Sequence, residues 1–160
     1  MLRGTLARAS GIAILLAAAC ALVVFTATSI QADADPWTKA QTVQPAKLAK
    51  ELANSGTAPT VVFVGFKRLY AAGHIKGAQY HGTAGSEEGL KELTAWAAGL
   101  SRSTNLVIYC GCCPLERCPN IRPAFKVLQG LGFKNLRVLL LPQDFATDWA
   151  DKGFPYDKGD

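Results

Sequence analysis

Short apolar runs alternate with amphipathic segments from residue 41 to residue 152, and each pattern predicts one element. Continuous apolar runs rich in β-branched residues are typical of strands buried on both faces. We predict such strands at 41–44, 60–64, 79–80, 105–109 and 136–141. Leucines three or four positions apart predict helices, which fall at 45–54, 71–74 (one turn), 86–100, 120–131 and 145–152. Strands and helices that alternate at this spacing predict an α/β fold, with a parallel sheet between two layers of helices.

The first 34 residues differ in composition from the rest of the chain. Arg3 and Arg8 precede an apolar run of 15 residues at 11–25, and the small residues Ala32 and Ala34 follow. This is the layout of a secretory signal peptide cleaved after Ala34. The apolar run is shorter than the roughly 17–25 residues that a spanning helix needs. We therefore expect an exported protein, periplasmic or secreted, with an uncleaved N-terminal membrane anchor as the alternative.

The length of the chain limits the number of domains, and its charge limits the classes of partner. Cleavage at that site would leave 126 residues, enough for one domain with its own core and too few for two. The 17 basic and 12 acidic residues are scattered, without a basic block, so nucleic acid is not an expected partner. A mild positive charge suits a small anion. We predict no cofactor, no metal ligand and, once the leader is removed, no stable membrane insertion.

The strongest chemical signal is a cluster of four cysteines within nine residues, in the stretch YCGCCPLERCPN: Cys110, Cys112, Cys113 and Cys118. Cys110 ends a predicted buried strand, and the loop after it enters a helix for which Asn120 is a plausible N-cap. Ligands of α/β proteins bind at the carboxyl ends of such strands. A helix N-terminus favours anions and lowers a thiol pKa. We therefore predict Cys110 as the nucleophile.

The segment Tyr70-Ala-Ala-Gly-His-Ile-Lys-Gly-Ala78 resembles the Y-x-x-G-H-I-x-G-A signature of rhodanese-like domains. The family's other landmarks follow in order, from a strand that ends in a cysteine to a terminal helix with Trp149 before Gly153-Phe154-Pro155. The resemblance covers residues 42–155. It implies one rhodanese-like domain with a central, mainly parallel five-stranded sheet flanked by helices. It also implies a sulfurtransferase in which Cys110 holds a sulfane sulfur as a persulfide and passes it to a thiophilic acceptor.

The chain departs from this family's pattern at three places. Phe63 and Gly65 replace the family's Asp-x-Arg, and Pro142-Gln143 replaces its Gly-Gly after the last strand. The loop after the nucleophile is longer than usual and contains the three further cysteines. These departures do not change the predicted fold, but they affect which substrate can be inferred from the family resemblance.

The substrate site is expected in the loop after the nucleophile. Amides of residues 111–117 would cradle an anion, and the Arg117 guanidinium would bind a sulfonate-like group with paired hydrogen bonds; a solvated loop arginine is the alternative. Arg122 could add charge or simply be solvated. The predicted substrate-binding residues are Gly111, Cys112, Cys113, Glu116 and Arg117. No cysteine stands in a C-x5-R motif with Arg117, so phosphatase activity is not expected.

The three additional cysteines allow four interpretations. They could resolve the persulfide, form a structural disulfide, bind a soft metal such as Cu(I) or zinc, or exchange disulfides. Cα atoms of adjacent residues are about 3.8 Å apart, closer than an ordinary disulfide allows. A bond from Cys118 to Cys112 or Cys113 is therefore the easier one. Zinc is disfavoured because one short loop supplies every ligand.

Three functions remain open from the sequence, of which the third, an inactive rhodanese-like interaction domain, is disfavoured by the cysteine retained at the strand end. The first is a sulfurtransferase that takes sulfur from a small anionic donor and passes it to a thiol or thioredoxin-like acceptor. The second is a periplasmic thiol-redox or soft-metal module on the same fold. Outside the cluster, His74 is expected in a structural turn, His81 at the surface, and Trp96 and Trp149 in the core, while Phe66 is a candidate for lining the pocket.

Overall fold

The structure is a computed structural model that describes residues 35–54 and 56–159. The predicted leader at 1–34 and its cleavage site lie outside the described residues. A search of the described part of the chain finds no helix that is both long and apolar enough to cross a membrane.

Within the described residues, strands and helices alternate as the apolar pattern predicts. The strands are β1 (Thr42–Val43), β2 (Thr60–Phe63), β3 (His74–Ile75), β4 (Gln79–Tyr80), β5 (Asn105–Tyr109), β6 (Asn135–Leu139) and β7 (Tyr156–Asp157). The helices are α1 (Pro45–Leu52), α2 (Lys67–Ala72), α3 (Glu87–Ala98), α4 (Ile121–Gly130) and α5 (Phe145–Asp148). A 3-10 turn, Ala150–Lys152, follows α5, so the terminal helix predicted at 145–152 is divided.

Five strands form one parallel sheet in the order β1-β6-β5-β2-β4. β5 lies at its centre, between β2 and β6. Phe63 of β2 is in register with Tyr109 of β5, so these two strands end together at the same edge of the sheet. The predicted α/β class and five-stranded parallel sheet are confirmed, and Cys110 follows directly at that edge.

Alternate residues of a strand point to opposite faces of the sheet. Because both sets are apolar in the buried strands, helices cover both faces. Val62 and Ile108 pack on one face with Leu93 of α3 and Phe125 of α4. Residues of the opposite set pack on the other face with α1, α2 and the segment after α5: Val61, Val107, Leu48, Tyr70 and Trp149. Each such aliphatic or aromatic side chain contributes about 1.5–3 kcal/mol when fully buried. These two cores hold the carboxyl edge of the sheet rigid.

One predicted element is wrong. The pattern predicts a helical turn at 71–74, but α2 occupies Lys67–Ala72 and His74–Ile75 is a strand. β3 pairs antiparallel with β7, in the register His74 with Asp157 and Ile75 with Tyr156. The backbone is extended here because both side chains of β3 are buried and the Ile75 amide donates to the Tyr109 hydroxyl at 2.9 Å.

The sequence predicts positions for two tryptophans and for His81, and the structure agrees with some of these predictions. Trp149 is fully buried, as expected. Trp96 is half-buried and packs at the edge of the core. The surface prediction for His81 is wrong, because its ring is half-buried and stacks on Trp96 with the ring centroids 4.2 Å apart. Burial lowers the pKa of His81 and so favours the neutral ring.

Candidate functional site

Cys110 lies one residue beyond β5, at the carboxyl edge of the sheet. Its residue is 4% exposed. A Cβ atom on Gly65 would stand 2.8 Å from the Cys110 Sγ and 2.7 Å from the Phe63 ring. Only a glycine at position 65 therefore leaves room for the sulfur, since real Cβ contacts essentially never fall below 3.0 Å. Gly65 is a site residue whose role the sequence pattern did not reveal.

Gly111 turns the chain away from the sheet. Its φ angle of +67° lies in the left-handed region that favours glycine. A Cβ atom there would stand 2.7 Å from the Phe145 Cβ, and the Phe145 amide donates to the Gly111 carbonyl at 3.1 Å. The loop thus leaves β5 pressed against the start of α5.

The four cysteine sulfurs form a contiguous cluster. The Cys112 Sγ lies 3.1 Å from the Cys110 Sγ, 3.1 Å from the Cys113 Sγ and 4.0 Å from the Cys118 Sγ. All four side chains are free thiols, so the interpretation with a disulfide from Cys118 to Cys112 or Cys113 is not what the structure shows. The loop at 110–118 is folded so that the other three sulfurs lie around the Cys112 sulfur.

Asn120 joins the sulfur cluster through its side-chain amide. The Nδ2 group donates to the Cys110 Sγ at 3.3 Å and to the Cys112 Sγ at 3.9 Å. The Oδ1 atom accepts from the Gly85 amide at 2.8 Å, so the donor end must face the sulfurs. Asn120 stands at the N-cap position, as predicted, but its side chain makes no capping bond. The residue is fully buried and contacts the thiols instead.

The helix N-terminus acts on a different cysteine from the one the sequence suggests. The Cys110 S–H donates to the Cys112 Sγ at 3.1 Å. The Cys110 side chain and, after it, the backbone amides of Asn120 and Ile121 lower the pKa of Cys118 to about 6. The hydrogen bond to Cys118, followed by burial, raises the pKa of Cys110. Burial and the neighbouring Cys112 thiol raise the pKa of Cys113 to about 12. Among Cys110, Cys113 and Cys118, the direction of the shift favours the thiolate form at Cys118.

The predicted anion cradle is folded differently. A 3-10 turn occupies Leu115–Arg117, and the Arg117 and Cys118 amides bond to the carbonyls of Pro114 and Leu115. Those two amides are therefore already used within the loop. Glu116 and Arg117 are exposed. Their predicted roles in substrate binding stay predictions.

Arg122 is held by structural contacts. Its guanidinium forms an ion pair with Asp35 at 2.6 Å and donates to the Leu115 carbonyl at 3.3 Å. It also lies over the Trp37 ring, 5.7 Å from the ring centroid. Arg122 therefore ties the N-terminal arm to the cysteine loop.

His74 has the structural position that the sequence predicts. Its Nδ1 atom lies 2.8 Å from the Tyr70 carbonyl oxygen, and the two rings stack with centroids 3.8 Å apart. The Tyr70 hydroxyl donates in turn to the Ala78 carbonyl at 2.7 Å. These contacts hold β3 and its neighbours in place.

A cavity of about 430 Å³ opens beside Cys110. Of the four described cysteines, Cys110 alone lines it. The other lining residues are mostly apolar or aromatic, with three charged side chains among them: Phe63, Leu69, Ala72, Gly73, Gly111, Asp144, Phe145, Ala146, Ala150, Asp151, Tyr156 and Lys158. Phe66 is 44% exposed and does not line this cavity, so that prediction is wrong. Cys110 is thus the sulfur that a ligand in the cavity can reach.

Comparison with solved structures finds the same architecture elsewhere. The rhodanese-like domain of the Alr3790 protein from Anabaena sp. matches in its solution structure with 22% identity over 74% of this chain and 79% of that one, at a TM-score of 0.55. A crystal structure of Alr3790 matches with 21% identity over 72% of this chain and 82% of that one, at a TM-score of 0.56. This chain has the rhodanese-like fold.

A third structure with this fold is larger. EanB, in a complex with hercynine, matches with 21% identity over 74% of this chain and 27% of its own, at a TM-score of 0.52. No protein-family model matches the chain, and no curated protein does. At these identities the likeness establishes the fold.

Within the rhodanese-like fold, the chain's own features are concentrated at the carboxyl edge of β2 and β5. Phe63 and Gly65, which replace the family's Asp-x-Arg, line the cavity and make room for the Cys110 sulfur respectively. The lengthened loop adds three thiols within reach of one another.

Proposed function

We propose that this domain is a sulfurtransferase in which Cys110 carries a sulfane sulfur as a persulfide. The observation that carries the proposal is the position of the Cys110 Sγ. It lies at the carboxyl edge of a parallel sheet, where α/β proteins bind their ligands, and it alone of the four described thiols lines the adjoining cavity.

Loading begins with a proton transfer inside the cluster. The S–H of Cys110 donates to the Cys112 sulfur at 3.1 Å, and Cys118, whose lowered pKa favours the thiolate, lies 4.0 Å from that same sulfur. As the Cys110 sulfur attacks the outer sulfur of a donor such as thiosulfate, its proton passes to Cys118. The donor's sulfur–sulfur bond breaks and sulfite leaves with the electron pair. Cys110 is then a persulfide anion.

Two donors stand ready to stabilise that anion. The Asn120 Nδ2 group lies 3.3 Å from the Cys110 Sγ, and the backbone amide of Cys112 also donates to this sulfur. Hydrogen bonds to a charged sulfur are stronger than bonds to a neutral thiol. A thiophilic acceptor that enters the cavity then attacks the outer sulfur and restores the Cys110 thiolate.

Cys112 offers a second route out of the persulfide. Its Sγ lies 3.1 Å from the Cys110 Sγ. Attack by the Cys112 thiol on the inner sulfur would form a Cys110–Cys112 disulfide and release the outer sulfur as hydrosulfide. A dithiol protein of the thioredoxin type, oxidised to its own disulfide, would return both cysteines to thiols. Export of the domain to a compartment that supplies such a reductant is part of this proposal, and the composition of residues 1–34 supports it.

The test is cyanide-dependent release of thiocyanate from thiosulfate by the full chain. We expect Cys110→Ser to abolish turnover, because the hydroxyl cannot hold the sulfane sulfur. Cys113→Ser is the matched cysteine-to-serine substitution at a side chain outside the cavity lining, and we expect it to keep measurable turnover. Unchanged turnover in Cys110→Ser would refute the proposal.

A further inference from the structure

Three of the cysteines form a compact triangle of sulfurs. The Sγ atoms of Cys110, Cys112 and Cys118 all lie within 4.8 Å of one another. Cys110 and Cys118 are each 4% exposed, while Cys112 is half-buried. The triangle is thus largely closed to solvent.

We infer that Cys110, Cys112 and Cys118 form a three-coordinate thiolate site for one Cu(I) ion. Thiolates are soft ligands that select Cu(I), zinc and iron–sulfur clusters, whereas imidazole and carboxylate suit other ions. Among the described residues, the group that could hold a metal here contains cysteines alone. The donor set therefore points to a thiophilic ion.

Coordination number separates Cu(I) from zinc. Structural zinc sites are almost always four-coordinate and tetrahedral. The described triangle supplies three sulfurs, and Cys113 is not a member of it, although its sulfur lies 3.1 Å from the Cys112 sulfur. A three-sulfur site therefore fits Cu(I) better than zinc.

The fold holds the triangle in place without a bound ion. Cys110 directly follows β5, and Cys118 lies three residues before the first residue of α4. Asn120 contacts the sulfurs of Cys110 and Cys112 at 3.3 and 3.9 Å. Such outer contacts orient ligands and tune affinity for the ion. Thiol protons leave as the ion binds, so affinity should rise with pH.

The same sulfur would serve both the ion and the proposed sulfur transfer. An ion held by Cys110 withdraws negative charge from that sulfur and so makes it a poorer nucleophile towards a donor. The metal site therefore goes beyond the proposed function and would compete with it. The two can be tested separately, because ion binding requires no sulfur donor and turnover can be measured on metal-free protein.

The experiment titrates the reduced full chain with Cu(I) under anaerobic conditions against a chromophoric Cu(I) chelator. We expect one equivalent of Cu(I) per chain. Cys112→Ser and Cys118→Ser should each weaken binding at least about 10-fold, since even loss of an outer contact costs that much. Cys113→Ser, the matched control, should bind like the parent chain. X-ray absorption of the loaded protein should show three sulfur neighbours.

Other outcomes would overturn the inference. Less than one equivalent of bound Cu(I), an equal loss of affinity in Cys113→Ser, or nitrogen neighbours in the absorption spectrum would each exclude this site. Tighter binding of zinc than of Cu(I) would also do so. Circular dichroism checks that each variant folds, and Cys112→Ser, whose side chain is half-exposed, decides the matter where Cys118→Ser does not fold.

Discussion

The Asn120 side chain donates to the Cys110 sulfur at 3.3 Å while its other end accepts from the Gly85 amide at 2.8 Å. The second bond fixes the orientation of the first. Asn120 thereby connects the loop before α3 to the sulfur at the end of β5. A residue that would be a helix cap in another setting serves here as a donor to the candidate nucleophile.

The substitution Asn120→Asp should remove the hydrogen bond to sulfur and keep the one from the Gly85 amide. The carboxylate still accepts from the Gly85 amide but no longer donates to sulfur. A hydrogen bond to a charged group contributes about 1.5–3 kcal/mol, so we expect kcat/KM for sulfur transfer to fall about 10- to 100-fold. The negative charge should also shift the pH–rate profile to higher pH. Asn135→Asp, at an exposed position on β6, is the control; identical profiles in the two variants would rule out this role.

The second prediction concerns the thiolate at Cys118. In metal-free, reduced protein we expect one thiolate to appear with a midpoint near pH 6, because the pKa of Cys118 is lowered to about 6. Ultraviolet absorbance of the thiolate measures this directly. Cys118→Ser should lack that step and Cys113→Ser should keep it. Persulfide loading of Cys110 should slow as the pH falls below this midpoint, since Cys118 would no longer accept the proton.

The sign of the accompanying change in stability follows from the same shift. The pKa is 9.0 for an ordinary thiol and about 6 for Cys118 in the folded chain, so the folded state binds this proton less tightly. The unfolding free energy gained from the thiolate is therefore present above pH 9 and is lost as the pH falls towards 6. Urea unfolding of the parent chain and Cys118→Ser should converge over this range. A constant difference between them would contradict the assignment.

Gly111 gives a prediction about the loop's conformation. Gly111→Ala places a Cβ 2.7 Å from the Phe145 Cβ at a φ of +67°. Gly132 has a similar φ of +88° and open space around it, so Gly132→Ala isolates the backbone strain. That strain costs about 1–3 kcal/mol, and we expect Gly111→Ala to lose about 1–3 kcal/mol more through overpacking. Urea unfolding measures both, and equal losses would show that the contact with Phe145 is unimportant.

Much of the fold could be predicted because its strands are buried on both faces. The runs at 60–64 and 105–109 are apolar at every position or nearly so, and such runs have few alternatives to a central parallel strand. The position of Cys110 followed from the end of the second run. β3 and β7 were not predictable in this way, since each has two residues and its partner lies far along the chain.

The site was less predictable than the fold. Cys110 follows the end of a central strand, as the pattern predicts, but the thiol whose pKa is lowered depends on where individual amides point. Those amides belong to Asn120 and Ile121, which stand at the N-cap and at the first residue of α4, and they help to lower the pKa of Cys118. The role of Gly65 could not be predicted either, because it consists of leaving space for the sulfur of Cys110, which is 45 residues away along the chain.

The 3.1 Å separation of the Cys110 and Cys112 sulfurs predicts that Cys112 resolves the persulfide on Cys110. In the parent chain loaded with thiosulfate and given no acceptor, Cys112 should displace hydrosulfide and leave a Cys110–Cys112 disulfide. Cys112→Ser cannot do this, because a serine hydroxyl is a poor nucleophile towards sulfur. We therefore expect intact mass spectrometry to find one added sulfur atom in Cys112→Ser and the loss of two hydrogens in the parent. Cys113→Ser should behave as the parent does. Equal persulfide content in the parent and Cys112→Ser would show that Cys112 does not resolve it, and that sulfur leaves only through an acceptor in the cavity.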